Sequence, residues 1–389
     1  MKKYFLFAFL GLLTWACSDN SDSDSSNDDD AIPTPIFIDI VYNESAADVS
    51  IPATAVGVTC TSGSATDVEI TVDDTITTEY YYRVKGESSS GSLTINSPYK
   101  LTMLLQGLDL TSQTTSPAIH VNCGKRVALI LQENTVNTLT DNAMNEKKGC
   151  FYTKGHLEIE GGGVLNITSH ARHALAAKEY LQLKKSTGYI NILGAPGDGI
   201  HCGEGDGDPE NNYFKINGGT VTFTDVEGDL IDCDDYGTAY INGGTLYLTV
   251  AADDAKGLKA DSLIHMTDGT VHLDVSGTSS VGIQANYEAY FSGGTITGTV
   301  SGLDASGVKG NNAKSSVTVL DGGNLYFSGT QLTLGITGLA SCYGVNAEKN
   351  ISVTGGTLAF SGPAVNAPGY RVKGELSGSD YILWTAVEE

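Results

Sequence analysis

Asn217-Gly218-Gly219-Thr220-Val221-Thr222-Phe223 and Asn242-Gly243-Gly244-Thr245-Leu246-Tyr247-Leu248 are two copies of one signal, a Gly-Gly turn feeding an alternating strand. The signal returns at Thr267-Asp268-Gly269-Thr270-Val271, Ser292-Gly293-Gly294-Thr295-Ile296, Asp321-Gly322-Gly323-Asn324-Leu325-Tyr326-Phe327 and Thr354-Gly355-Gly356-Thr357-Leu358. A second signal accompanies it: a small residue, an aliphatic, a polar residue and a small residue, as in Gly199-Ile200-His201-Cys202, Leu230-Ile231-Asp232-Cys233 and Gly257-Leu258-Lys259-Ala260. The centres of its copies read Ile119, Phe151, Leu175, Ile200, Ile231, Leu258, Ile283, Val308, Val345 and Val365, spaced by 32, 24, 25, 31, 27, 25, 25, 37 and 20 residues. A fixed period of this kind decides the architecture before any local reading does.

A unit near 25 residues with two or three short strands suits one coil of a parallel β-helix, in which each residue type stacks on its counterpart in the next coil. Propeller blades need about 40 residues, and the leucine ladder of leucine-rich repeats is missing. The expected fold is all-β: a right-handed, single-stranded parallel β-helix of about ten coils. Residues 32–110 hold an irregular N-terminal β cap and the first coils, and the regular helix runs over 111–389. Ile200, Ile231, Leu258 and Ile283 form one interior column. Leu246/Leu248, Val271/Leu273 and Leu325/Phe327 form another, alternating with polar residues at period two.

Lys2 and Lys3 precede the apolar run Tyr4 to Leu13, too short to span a bilayer. Residues 1–16 read as a signal peptide, and Leu13-Thr14-Trp15-Ala16-Cys17 resembles a bacterial lipoprotein cleavage site with Cys17 as the acylated residue. The alternative is an ordinary secretory signal with a leftover cysteine. Residues 17–31, with Asp19, Asp22, Asp24, Asp28, Asp29 and Asp30 among Ser and Asn, read as a solvated tether. An acid-rich tract after the lipidated cysteine also resembles the surface-export signal of Bacteroidetes-type lipoproteins, which implies a place at the cell outer membrane, facing outward. A periplasm-facing tether is the alternative.

The full chain carries a formal charge of −24; without residues 1–16 it has 20 basic against 46 acidic residues, or −26. That surface repels nucleic acid and anionic headgroups. The cysteines after Cys17 are spread too widely for zinc and too thinly for a disulfide scaffold. Cys202 and Cys233 occupy equivalent places and read as small buried residues, since directly paired parallel strands offer poor bridge geometry.

Acids crowd one region. Asp198 and Asp229 share the place two before the centre, and Asp234 and Asp261 the place three after it. Carboxylates one coil apart repel, and Ca²⁺, which takes six to eight oxygens, relieves that repulsion. Asp198, Asp229, Asp232, Asp234, Asp206 and Asp208 are the candidate ligands; solvated loop acids are the plain alternative. Outward positions Asn166, Asn191, Thr222, Tyr247, His272, Thr297, Tyr326 and Ala359 form a line whose rings, amides and hydroxyls suit sugars. Asn191, Tyr247, His272 and Tyr326 are its candidate carbohydrate contacts, although Tyr and Thr also favour any exposed strand. Lys256 or Lys259, beside the acids, could serve as the base of a β-elimination. No nucleophile elbow, phosphate loop or zinc-protease motif is present.

Thr138-Leu139-Thr140-Asp141, Lys148-Gly149-Cys150-Phe151-Tyr152, Asp198-Gly199-Ile200-His201 and the repeated Asn-Gly-Gly-Thr strands together resemble the polysaccharide-lyase-like parallel β-helix family of carbohydrate-binding domain-containing proteins, over residues of about 99–370. The family is common among secreted clostridial and Bacteroidetes proteins. The resemblance implies a calcium-bearing β-helix that binds cellulose-like or pectin-like polysaccharide without established catalysis. The Asp-Gly-Ile signature decays to Asp229-Leu230-Ile231 and Lys256-Gly257-Leu258, which limits any carried-over metal site to the first coils. The expectation is a monomeric surface lipoprotein that binds polysaccharide. A calcium-dependent lyase and a non-catalytic adhesin or structural surface protein are the alternatives.

Overall fold

The computed structural model describes residues 34–62, 65–203, 210–312, 322–338 and 341–387. Contacts divide the chain into Met1–Thr34 and Pro35–Glu389, and every described strand lies in the second unit. Cys17, Asp206 and Asp208 fall outside the described residues. Among the described residues there is no α-helix, only two three-residue 3-10 turns.

Each coil presents three strand segments in order, stacked in parallel on those of the next coil, the second and third running on as one long strand in Leu101–Thr111, Thr238–Val250 and Leu263–Val275. In one coil they are Ile200–Cys202, Tyr213–Ile216 and Thr220–Phe223, on what we term the first, second and third walls. The first wall pairs Val68, Leu93, Ile119, Phe151, Leu175, Ile200, Ile231, Leu258, Ile283, Val308, Val345 and Tyr370 in one unbroken column. The fold is thus a parallel β-solenoid of about twelve turns. Regular coils begin at Val68, earlier than the repeat could be read, because the first turns carry no Gly-Gly corner to announce them. Among the described residues antiparallel pairing is confined to the N-terminal end, where Ile36–Asn43 meets Ala46–Ser50 and Val58–Ser62 meets Asp67–Val72.

Side chains alternate in and out along every wall, so the interior is a set of apolar columns, nearly all of them sealed from solvent. Removing such a side chain from water stabilises the fold by about 1.5–3 kcal/mol. Stacking extends to rings, with Phe291 on Phe327 at 4.9 Å. At the corner between second and third walls, Gly219, Gly244, Gly269 and Gly294 all take positive φ, between 74° and 94°. A Cβ on Gly244 would sit 2.8 Å from the Gly219 carbonyl oxygen, so the tight corner excludes other residues on two counts.

Two register readings are corrected. Asn324–Phe327, after Gly322-Gly323, pairs with Glu288–Phe291 on the second wall, and the third-wall strand of that coil is Gln331–Ile336. Leu325 and Phe327 therefore do not continue the column of Leu246 and Leu248. Gly-Gly marks a corner without saying which one, and the longer interval before Val345 moved it by one wall. Val365 is exposed in a 3-10 turn, and Tyr370 takes its expected place beside Val345. Pro363 and Pro368 bracket that stretch, and proline has no N–H to give to a parallel ladder.

Candidate functional site

The acidic residues converge on the outer face of the first wall. Pairing of Ile200 with Ile231 and of Ile231 with Leu258 puts His201, Asp232 and Lys259 in one outward row. Asp198 and Asp229 lie in the row beside it, as their spacing predicts. Asp198 Oδ2 lies 2.9 Å from His201 Nδ1 and 3.2 Å from His173 Nδ1, and the two imidazoles stack at 4.2 Å. Burial opposes ionisation of Asp198, but its contacts with His173 and His201 outweigh it and hold the carboxyl well below the usual range, while His173 Nδ1 accepts the Asp198 backbone N–H at 2.9 Å. Backbone N–H groups complete the set: Asp229 donates to Asp198 Oδ1 at 2.9 Å and Lys256 to Asp229 Oδ1 at 2.7 Å.

Lys259 decides the electrostatics. Its Nζ donates to Asp232 Oδ1 at 2.9 Å and Asp234 Oδ1 at 3.1 Å, with Asp261 Oδ1 at 3.7 Å. Burial works against the ammonium, yet these three carboxylates raise its pKa above the ordinary lysine value. A lysine held protonated in this way is a poor proton acceptor, which weakens it as the base of an elimination. The ammonium also relieves the repulsion between coils for which a cation was expected. Three overlapping sets, His173/Asp198/His201, His201/Asp232/Asp234 and Asp198/Asp229/Asp232, bring ligand atoms within 4.8 Å of one another. The all-oxygen set brings together one oxygen from each of three carboxylates, fewer than the six to eight oxygens of a calcium shell. The described residues alone leave such a shell incomplete, and Asp206 and Asp208 are not among them. Cys202 and Cys233 are free thiols in the neighbouring inward column, their sulfurs 3.6 Å apart.

The line of outward residues on the third wall runs Asn166, Asn191, Thr222, Tyr247, His272, Thr297, Thr333 and Ala359. Asn191 donates to Asn166 at 2.9 Å and accepts from Thr222 at 2.8 Å, and Tyr247 stacks on His272 at 4.6 Å. Tyr326 is not part of this line; Thr333 holds its place. It belongs instead to the second wall, in the row Lys215, Tyr240, His265, Tyr290 and Tyr326.

That row is the later part of a ring ladder that the sequence reading missed; the ladder's first rings, His156, Tyr180 and Tyr213, sit two residues earlier, in the row of Thr238. His156, Tyr180, Tyr213, Tyr240, His265, Tyr290 and Tyr326 touch in succession over seven consecutive coils, with centroids 4.3–5.9 Å apart. Lys215 Nζ lies over both Tyr213 and Tyr240, bridging the step where the rings turn edge to face. The signal was available in Tyr240, His265 and Tyr290, each three residues before a corner pair (Gly243-Gly244, Asp268-Gly269 and Gly293-Gly294), but the spacing does not hold for the earlier rings. Ring faces in both ladders are filled by their neighbours, so what they offer a ligand is a line of edges, hydroxyls and ring nitrogens.

Comparison with known proteins finds a family model described as carbohydrate-binding domain-containing protein, matching residues 65–363. None of the curated proteins matches the chain. Among solved structures the chain is similar to the polysaccharide lyase-like protein from C. thermocellum, solved as a gadolinium derivative, with 16% identity and a TM-score of 0.36, covering 90% of this chain and 100% of that one. A likeness at that score carries no argument. The family match spans well over half of the 389 residues, and the chain belongs to the carbohydrate-binding domain-containing protein family.

Proposed function

We propose that this chain is a monomeric lipoprotein, anchored at the cell outer membrane through Cys17, that binds cellulose-like or pectin-like polysaccharide along its coils without cleaving it. The observation that carries the reading is the seven-ring ladder of the second wall, which lies within the family-matched residues and repeats once per coil. A surface repeating at about 4.8 Å suits a ligand that is itself a repeating chain. Ring edges and hydroxyls are the groups that meet sugar hydroxyls. The clamped state of Lys259 favours binding over elimination. Calcium belongs to the proposal as an ion shared by Asp198, Asp229 and Asp232 with the acids of residues 204–208.

The test is a pull-down on insoluble cellulose and on pectin, with and without chelator, followed by absorbance of unsaturated product. Retention on a polysaccharide with no new absorbance is expected. Absence of binding to either, or accumulation of unsaturated product, contradicts the reading, and binding indifferent to chelator removes calcium from it.

A further inference from the structure

Farther along the same first-wall face, charge reverses. Pairing of Val308 with Val345 and of Val345 with Tyr370 sets Lys309, Asn346 and Arg371 side by side on adjacent strands. They line a cleft of about 430 Å³ with Tyr343, Asp304 and Glu348, within the size range of small-molecule sites. Arg371 lies over the Tyr343 ring, and Lys373 pairs with Glu348 at the rim. Two features lack partners. Asn346 is 94% buried and donates to Ser306 at 3.3 Å, but its Oδ1 accepts nothing among the described residues. Lys309 makes no hydrogen bond or ion pair among them. Burial lowers its pKa, Glu348 opposes that, and Lys256, Arg371 and Lys373 reinforce it. On a chain with 46 acids against 22 bases, this is a local gathering of cations around a buried acceptor.

An unpaired buried acceptor destabilises the fold, and crowded cations repel. One ligand relieves both: an anion carrying an adjacent hydroxyl. Asp304 and Glu348 at the cleft disfavour a doubly charged phosphate and can accept hydroxyl protons, which points to a singly charged carboxylate on a polyol ring. We propose that this cleft binds a uronic acid residue of an acidic polysaccharide, Lys309 and Arg371 holding its carboxylate and Asn346 accepting a neighbouring hydroxyl. The proposal rests on the polysaccharide-binding reading above and names the charge of one bound sugar. It also gives an acidic polymer a foothold on a chain whose net charge would otherwise repel it.

The experiment is calorimetric titration of the full chain with trigalacturonate, its methyl ester, cellotriose and inorganic phosphate. Trigalacturonate should bind, and esterification should weaken it by about tenfold or more, the loss of one charge-assisted contact. Arg371→Gln, at an exposed position, and Lys309→Met should each weaken trigalacturonate similarly and leave cellotriose unchanged, with thermal melts confirming that both variants fold. Equal binding of acid and ester, unchanged affinity in both variants, or phosphate binding as tightly as the sugar would overturn the site. Cellotriose binding without trigalacturonate binding overturns this site alone; binding of no sugar overturns the polysaccharide reading with it.

Discussion

At the scale of single residues, the first-wall face is a run of groups whose protonation is set by the neighbouring coils. His120 is buried against Tyr152 with its Nε2 lacking a partner among the described residues, and burial, aided by Lys147 and Lys154, pushes its pKa down to about 4. The folded protein therefore binds fewer protons than the unfolded chain between pH 6.5 and 4. Stability is full above 6.5 and declines as pH falls through that window, by up to about 3 kcal/mol from this group. His120→Gln should flatten that part of the profile in urea melts taken at pH 7 and 4.5; an unchanged slope would show that His120 is not its source. Lys259→Met leaves Asp232, Asp234 and Asp261 facing one another and should cost about 2–3 kcal/mol, discounted for the exposure of Asp234. Added calcium should recover part of that loss if the carboxylates can share an ion, and a melt indifferent to calcium would count against the ion. The row positions of Asp198, Asp229, Asp234 and Asp261 were legible from spacing, because register in a coil stack is arithmetic. The grip of Lys259 on three of the acids was not, since it depends on where a long side chain turns once it leaves the strand.

At the scale of the wall, the ring ladder is both structure and surface. His265 is stacked between Tyr240 at 5.5 Å and Tyr290 at 5.1 Å. Replacing it with Ala removes two ring contacts and should lower stability by about 1–2 kcal/mol in chemical denaturation. Because each coil touches chiefly its neighbours, the loss should stay local and the denaturant slope should hold; a loss within error would mean the stacking contributes nothing. This element was the least readable part of the chain. Interior columns announce themselves by alternation, and Gly-Gly corners by the backbone conformation they alone tolerate. An outward ladder has only register to define it, and Gly322-Gly323 moved the register of Tyr326 from one wall to another. The same arithmetic failed at Val365, where flanking prolines outweighed a matching four-residue pattern.

At the scale of the whole molecule, the solenoid of about ten coils was decided by period alone, close to the twelve turns found, and only the first coils, which lack the corner signal, were hard to place. What the repeat leaves variable is the chemistry of its outer faces: acids and histidines at one part of the first wall, cations and a buried amide farther along, and rings on the second. The central claim is that a polysaccharide lies along this stack and is contacted coil by coil. It is tested most directly by measuring affinity for cello-oligosaccharides and oligogalacturonides of increasing length, from two sugars to eight. Affinity that climbs with each added sugar before levelling off is the predicted result. Affinity independent of length, or no binding in either series, would contradict it.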